Sequence, residues 1–249
     1  MGTSKAYGGL KGNPTWGPLS STVTRAVNDG HPTKSALGRV MTRTVAHLGG
    51  SYGASSGSSN SGGNAGVRAA RNLGSFIGSI QNYGFAQALD FIAGSNEIEN
   101  ANLAINVILE HCAEQAGILD EIAAKAAMRD LLEEIGAGAE TIEELGEDFK
   151  AAIKDFGAEE LLVKYFGNYL YEHLCSDFYE KLIKEKGIRE TEGFYTELKD
   201  YIVEKTKTTS KHRDLRKVDW QSNYGKELMQ EIFRDTLKEF ESYEGYCYY

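Results

Sequence analysis

The residue with the clearest chemical potential stands at the start of the chain. Gly2 follows Met1, and removal of Met1 would leave an unhindered primary amine. The pKa of an α-amino group is about 7.7–8.0, well below that of lysine, so a useful fraction is uncharged and nucleophilic at neutral pH. Gly2 is therefore a candidate for modification by another enzyme. The alternative is an ordinary N-terminus without a role, since chain ends are often poorly ordered.

Two short strings imitate protein-kinase motifs: Asp155-Phe156-Gly157 reads as DFG, and His212-Arg213-Asp214-Leu215 reads as HRDL. In kinases the HRDL loop precedes DFG, whereas the order here is reversed. The asparagine expected after HRDL is replaced by Asp219. These strings instead indicate a helix end at Gly157 and a polar loop over 206–219.

No other catalytic or metal-binding motif is recognised. The sequence does not match a nucleotide-binding P-loop, because Gly225-Lys226 is followed by Glu227 where the motif requires Ser or Thr. The acidic run at 143–148 is typical of a helix N-terminus. The three cysteines form no CxxC pair and no zinc-like spacing with histidine: Cys112, Cys175 and Cys247. We therefore predict a non-enzymatic protein with no metal and no cofactor.

Charge is divided unequally along the chain. Residues 1–80 hold eight Lys or Arg and one acid, a net charge of +7, whereas residues 81–249 hold 19 bases and 35 acids, a net charge of −16. Such asymmetry suggests that the two ends meet different partners, or each other. The acidic body argues against direct nucleic-acid binding.

Targeting signals are also missing from the sequence. No apolar run approaches the 18 residues that a membrane-spanning helix needs. The N-myristoylation pattern requires Ser or Thr at position 6, where this sequence has Ala6. With no disulfide framework and no secretory leader, we predict a cytoplasmic protein without a membrane anchor.

Hydrophobic periodicity predicts a mainly α fold, a helical bundle body with a flexible Gly-rich N-terminal arm. The predicted segments are an extended Gly/Pro-rich arm at 1–32, a tethered amphipathic helix at 33–48, a flexible Gly/Ser linker at 49–66 and an acidic α-helical domain at 67–249. A capping box at Thr141 predicts the start of one body helix. The apolar stripe of the tethered helix comprises Leu37, Val40, Met41, Thr44, Val45 and Leu48.

Two further sites are candidates for interaction. Arg39 and Arg43 share one face of the tethered helix, which is either a solvated surface or a docking face for an acidic partner or a phosphate. Asp219 and Trp220 interrupt the helices; Trp220 either anchors a loop to the core or is a protein-contact hot spot.

The opening motif resembles the QatB family, a component of bacterial Qat anti-phage defence systems. The motif reads G-T-S-x-x-Y-G-G-x-K-G-x-P-x-x-x-P from Gly2 to Pro18, and it is followed by a Gly/Ser linker, a helical body and a late Asp219-Trp220 segment. The resemblance implies a non-catalytic protein that works beside a defence ATPase, a QueC-like enzyme and a TatD-like nuclease.

A QueC-like enzyme activates a deazapurine carboxylate with ATP and lets an amine attack it. The resemblance therefore implies that Gly2 is conjugated to a 7-deazapurine. The expected partner-recognition residues are Thr3, Ser4, Lys5, Tyr7, Gly8, Gly9, Lys11 and Trp16. The competing hypothesis is an unmodified structural adaptor that scaffolds the ATPase and the nuclease.

Overall fold

The computed structural model describes residues 14–28, 31–56, 62–94, 98–113 and 117–241, and this part of the chain forms eleven α-helices and no strand. They are α1 (Trp16–Asn28), α2 (Lys34–His47), α3 (Gly50–Ser55), α4 (Asn64–Tyr83), α5 (Phe85–Ala93), α6 (Ala101–Cys112), α7 (Leu119–Ile135), α8 (Ile142–Phe156), α9 (Ala158–Lys186), α10 (Ile188–Thr206) and α11 (Asn223–Glu241). The predicted mainly α class is confirmed.

The long helix α9 forms the centre of the fold. It packs against α1, α4, α7, α8, α10 and α11, with its largest contact on α7. Apolar residues surround much of its circumference, as expected for a helix covered on most sides. Within the core, the Phe166 ring stacks on Phe233 of α11 with 4.4 Å between ring centroids.

The predicted apolar stripe of α2 is confirmed. All six of its residues, from Leu37 to Leu48, are buried. The Thr33 hydroxyl accepts a hydrogen bond from the Ala36 amide at 3.2 Å and caps the helix. The helix packs against α1, α10 and α11. It is therefore held on the body by packing as well as by its connection along the chain.

Residues 16–28 correct the expectation of an extended arm over 1–32. They form α1, whose buried side chains include Leu19, Val23 and Val27. Pro18 lies in the first turn, where amide groups have no acceptor within the helix, so proline is tolerated. Residues 1–13 lie outside the described part of the chain, and the flexible arm stays a prediction there.

A second correction concerns the Gly/Ser linker predicted over 49–66. Residues 50–55 form α3, and α4 already begins at Asn64. Glu241 of α11 accepts a hydrogen bond from the Ser51 amide at 2.6 Å. Arg234 donates to the Ser55 hydroxyl at 3.3 Å and lies over the Tyr52 ring. Side chains of α11 thus supply stabilisation that the local sequence lacks.

The basic first part of the chain contacts the acidic remainder. Lys34 of α2 pairs with Glu204 of α10 at 2.5 Å, and Arg68 of α4 lies 3.4 Å from Glu121 of α7. Part of the positive charge of the first 80 residues is therefore paired with acidic side chains of the same molecule.

Candidate functional site

The first described residues fix the N-terminal segment to the body. The Trp16 ring stacks on Phe178 of α9, with ring centroids 4.8 Å apart and planes 7° from parallel. The Thr15 hydroxyl shares a hydrogen bond of 2.8 Å with Nδ1 of His47. We call these four residues, Thr15, Trp16, His47 and Phe178, the N-terminal anchor. Pro14, which precedes the anchor, is exposed, so the first described residue lies at the protein surface.

A buried polar cluster extends from the anchor into the core. Nδ1 of His173 lies 3.6 Å from Oδ2 of Asp177, and its Nε2 lies 3.9 Å from Oδ1 of Asp120. Burial lowers the pKa of His47. The charge of Asp177 raises this pKa, and the nearby His173 lowers it further. His47 is therefore held mainly neutral at pH 7, as a hydrogen-bonding group of the anchor.

The Tyr169 hydroxyl joins this cluster to the start of α4. It donates to the Asp120 carboxylate and lies 2.8 Å from the Gly62 carbonyl oxygen. The other Asp120 oxygen accepts from the Ala65 amide at 2.9 Å. Burial and the Asp120 charge raise the pKa of Tyr169 well above its ordinary value, so the phenol stays protonated. Asp120 and Tyr169 thus hold together α4, α7 and α9.

Sequence reasoning missed this cluster because its members are far apart in the chain and share no motif. His47 is half-buried and His173 is buried, so neither is an exposed surface residue. Among the described residues, no group of three or more His, Cys, Asp or Glu could hold a metal ion.

The kinase-like HRDL string forms a structural loop. Buried Glu159 accepts hydrogen bonds from the Arg213 amide at 2.6 Å and the Lys211 amide at 3.2 Å. The Arg213 guanidinium also contacts Glu231 at 2.7 Å and Asp235 at 3.2 Å. These bonds fasten the loop to α9 and α11, in agreement with the prediction that it is a polar connection.

Trp220 lies in the core and Asp219 at the surface. Only 4% of Trp220 is exposed, and its ring packs against Gly74 and Gly78 of α4. A Cβ atom at Gly74 would lie 3.0 Å from this ring, so the glycine permits the close approach. The position favours the loop-anchor interpretation of Trp220 over the surface hot spot. The exposed Asp219 carboxylate accepts from the Gln221 amide at 3.0 Å.

Arg39 and Arg43 are both exposed on α2, as the solvated-face and docking-face interpretations each require. Arg39 donates to the Ser35 hydroxyl at 2.8 Å on its own helix. Trp16 is only partly accessible because it belongs to the anchor. The predicted sites at Gly2, Thr3, Ser4, Lys5, Tyr7, Gly8, Gly9 and Lys11 lie outside the described residues.

The described helices and their buried polar clusters define a mainly α-helical protein built around α9. A family model, described as the Qat anti-phage system associated protein QatB, matches residues 49–240. The chain belongs to this QatB family and is a component of a Qat anti-phage system. No curated protein and no solved structure matches the chain. The matched span begins after α2, so it does not include the opening motif that carries the sequence resemblance.

Within the described segments, no helix combines the length and apolar character needed to cross a membrane.

Proposed function

We propose that the protein is a non-catalytic, cytoplasmic component of its Qat system and that it presents Gly2 to a QueC-like partner. That enzyme activates the carboxylate of a 7-deazapurine with ATP; the Gly2 amine then attacks the activated acyl carbon, displaces the ATP-derived leaving group and loses a proton. The product is an amide between the deazapurine and the protein N-terminus. The defence ATPase and the TatD-like nuclease are the other expected partners.

The N-terminal anchor is the observation that carries this proposal. Stacking of Trp16 on Phe178 and the bond between Thr15 and His47 attach the chain at one point of the body. Gly2 stands twelve positions before Pro14, which permits a reach of at most about 40 Å from the surface. The small residues Gly2, Thr3 and Ser4 suit a narrow channel, and Lys5 and Lys11 favour approach to a nucleotide or an acidic pocket.

The test is the mass of the N-terminal peptide after expression with and without the neighbouring genes of the system. We expect an added mass on Gly2, equal to the deazapurine acid less one water, only when the neighbours are present. Gly2→Pro, whose ring crowds the terminal nitrogen in a narrow channel, should abolish the adduct and protection. The matched control Gly12→Pro should retain both. An unmodified Gly2 in a protected strain would contradict the proposal.

The second candidate is an unmodified adaptor that scaffolds the ATPase and the nuclease. It is favoured by Arg39 and Arg43, whose exposed guanidinium groups lie on a helix that carries no acid. In that case deletion of residues 2–12 should leave complex formation and protection intact. Arg39→Glu/Arg43→Glu should instead disrupt assembly.

A further inference from the structure

A pocket lies in the groove between α9 and α10, beside the end of α8. One face of α9, from Glu160 to Tyr171, and one face of α10, from Lys199 to Lys207, line it, and its volume is about 110 Å³. An enclosed cavity of about 150 Å³ accepts benzene. This pocket reaches the surface, where the lining residue Val203 is exposed, so it has room for a group the size of one ring.

Apolar side chains form one part of the lining. Val163 and Ile202 are buried, whereas Phe156 is 43% and Val203 is 38% exposed. A Cβ atom at Gly167 would lie 3.3 Å from the Ile202 side chain, so the glycine lets α9 and α10 approach closely at this point of the pocket. A ligand with an apolar body would displace water from this surface, which favours binding.

Asn168 is the feature that marks the pocket as a binding site. It lines the pocket, and only 7% of it is exposed. Its side-chain amide makes no hydrogen bond within the part of the chain that the structure describes. A buried amide without a partner costs free energy, and asparagine is also a poor helix former in the middle of α9. A residue that costs stability in this way is expected where function requires it.

Two lysines of the lining are held in position by the protein. Lys164 donates to Glu134 at 2.5 Å, and Lys199 donates to Asp130 at 3.0 Å. Each ammonium group also lies over an aromatic ring of the lining, 5.0 and 5.2 Å from the ring centroids. Neither carboxylate lines the pocket. Because an ammonium group has three donors, both lysines can bind an anion in addition to their carboxylate partners.

A third lysine makes the lining positive. Lys207 forms no ion pair within the described residues, and its neighbour Glu204 pairs with Lys34 instead. Glu160 is the one acid among the described lining residues, so three lysines leave a net charge of +2. A positive pocket in an otherwise acidic body favours an anionic ligand.

We propose that this pocket binds a small organic oxyanion, a carboxylate or a phosphate monoester carried by a body of one ring. The apolar lining takes the ring, the Asn168 amide donates to an oxygen of the head group, and the three lysines balance its charge. The pocket shares no residue with the N-terminal anchor. The inference therefore goes beyond the proposed function and does not depend on modification of Gly2.

Four probes of one ring each separate charge from shape: benzoate, phenyl phosphate, benzamide and the cation benzamidine. Each is titrated into the isotope-labelled full chain, whose backbone amide resonances report both affinity and location. We expect at least one of the two anions to shift the resonances of Gly167 and Thr206 and to bind at least about tenfold more tightly than benzamide. The comparison between the two anions assigns the head group. Benzamidine should not bind.

Asn168→Leu should weaken binding of the preferred anion at least about tenfold, while the free energy of unfolding stays the same or rises. A purely structural role of the amide would instead make this variant less stable. The matched control is Asn106→Leu at an exposed position of α6, which should not change the affinity.

Lys207→Gln should weaken binding of the anion but not that of benzamide, because it removes charge and keeps most of the side-chain length. Lys226→Gln, at an exposed position of α11, is its control and should change neither. Circular dichroism and melting temperature identify variants that fail to fold.

The proposal is wrong if no probe binds, if benzamide binds as tightly as both anions, or if the shifted resonances lie away from α9 and α10. It is also wrong if Asn168→Leu and Lys207→Gln bind the anion as the wild type does. The Gly2 adduct is scored separately by mass, so the two proposals can fail independently.

Discussion

Trp16 and Phe178 lie face to face, 4.8 Å apart, although 162 positions separate them in the chain. The contact joins the first helix to the last third of the central helix. It fixes the start of α1 to the body of the protein.

Replacement of Trp16 by alanine should loosen this fixed point. Because Trp16 is partly buried, we expect the free energy of unfolding to fall by about 2 kcal/mol, below the cost at a fully buried site. Urea denaturation gives the loss, and limited proteolysis should show faster cleavage within α1. Trp16→Phe keeps an aromatic face and should lose less. Equal stability of wild-type and Trp16→Ala proteins would show that the stacking contributes nothing.

Two tyrosines of α9 should respond differently to loss of their hydroxyl groups. Tyr169→Phe removes the donor to Asp120 and should destabilise the protein by about 1–2 kcal/mol. The Tyr165 hydroxyl is buried, and no hydrogen-bond partner for it occurs among the described residues. Tyr165→Phe should therefore be neutral or stabilising. Parallel denaturant titrations of the two variants test the contrast, which a similar loss in both would refute.

Gly66 is required by the tight packing of α4 on α9. A Cβ atom there would lie 2.9 Å from the Tyr169 ring, which is buried and held by its hydroxyl. Gly66→Ala should lower the free energy of unfolding by about 1–3 kcal/mol. The control is Gly193→Ala within α10, where nothing lies within 4 Å of the added carbon. That variant should gain up to about 1 kcal/mol from helix propensity, and thermal melts should place the two variants on opposite sides of wild type.

The raised pKa of Glu172 predicts that the free energy of unfolding depends on pH. Burial, helped by the Asp130 charge and opposed by Lys199, raises the pKa of Glu172 to about 7. An unfolded glutamate titrates near 4.3, so the native state holds the extra proton between these values. The contribution of Glu172 to stability is therefore fully present below about pH 4 and is lost as the pH rises to 7.

Glu172→Gln should accordingly become more stable relative to wild type as the pH is raised from 5 to 8. Denaturant midpoints of both proteins across this range measure the difference. Glu180→Gln, on the same helix at a largely exposed position, should show no comparable trend. A constant difference for Glu172→Gln across the range would disprove the assignment.

The sequence predicted most of the helical body because its apolar spacing is local information. The stripe of α2 and the capping box at Thr141 both occur as predicted; Glu144 accepts from the Thr141 amide at 3.1 Å and donates its own amide to the Thr141 hydroxyl at 3.2 Å. The α1 helix was missed because Pro14 and Pro18 suggested an extended chain, whereas a proline in a first helical turn interrupts no helical bond.

Other features depend on partners that are distant in the chain. Helix α3 has a Gly/Ser-rich sequence with little apolar surface, and contacts with Glu241 and Arg234 help to stabilise it. The pairing of Asp120 with Tyr169 likewise has no signal in either local segment. For Trp220, the sequence left a core anchor and a surface contact open, and packing against Gly74 decided for the core.

The sequence alone thus determined the helical class, the body helices and the resemblance to the QatB family, since periodicity and short motifs are properties of neighbouring residues. Only the tertiary structure decided which surfaces remain open. Partial burial of Trp16, burial of Trp220 and exposure of Tyr83 and Phe91 depend on which helices pack together, because an apolar side chain has the same sequence signature whether a neighbour covers it or not.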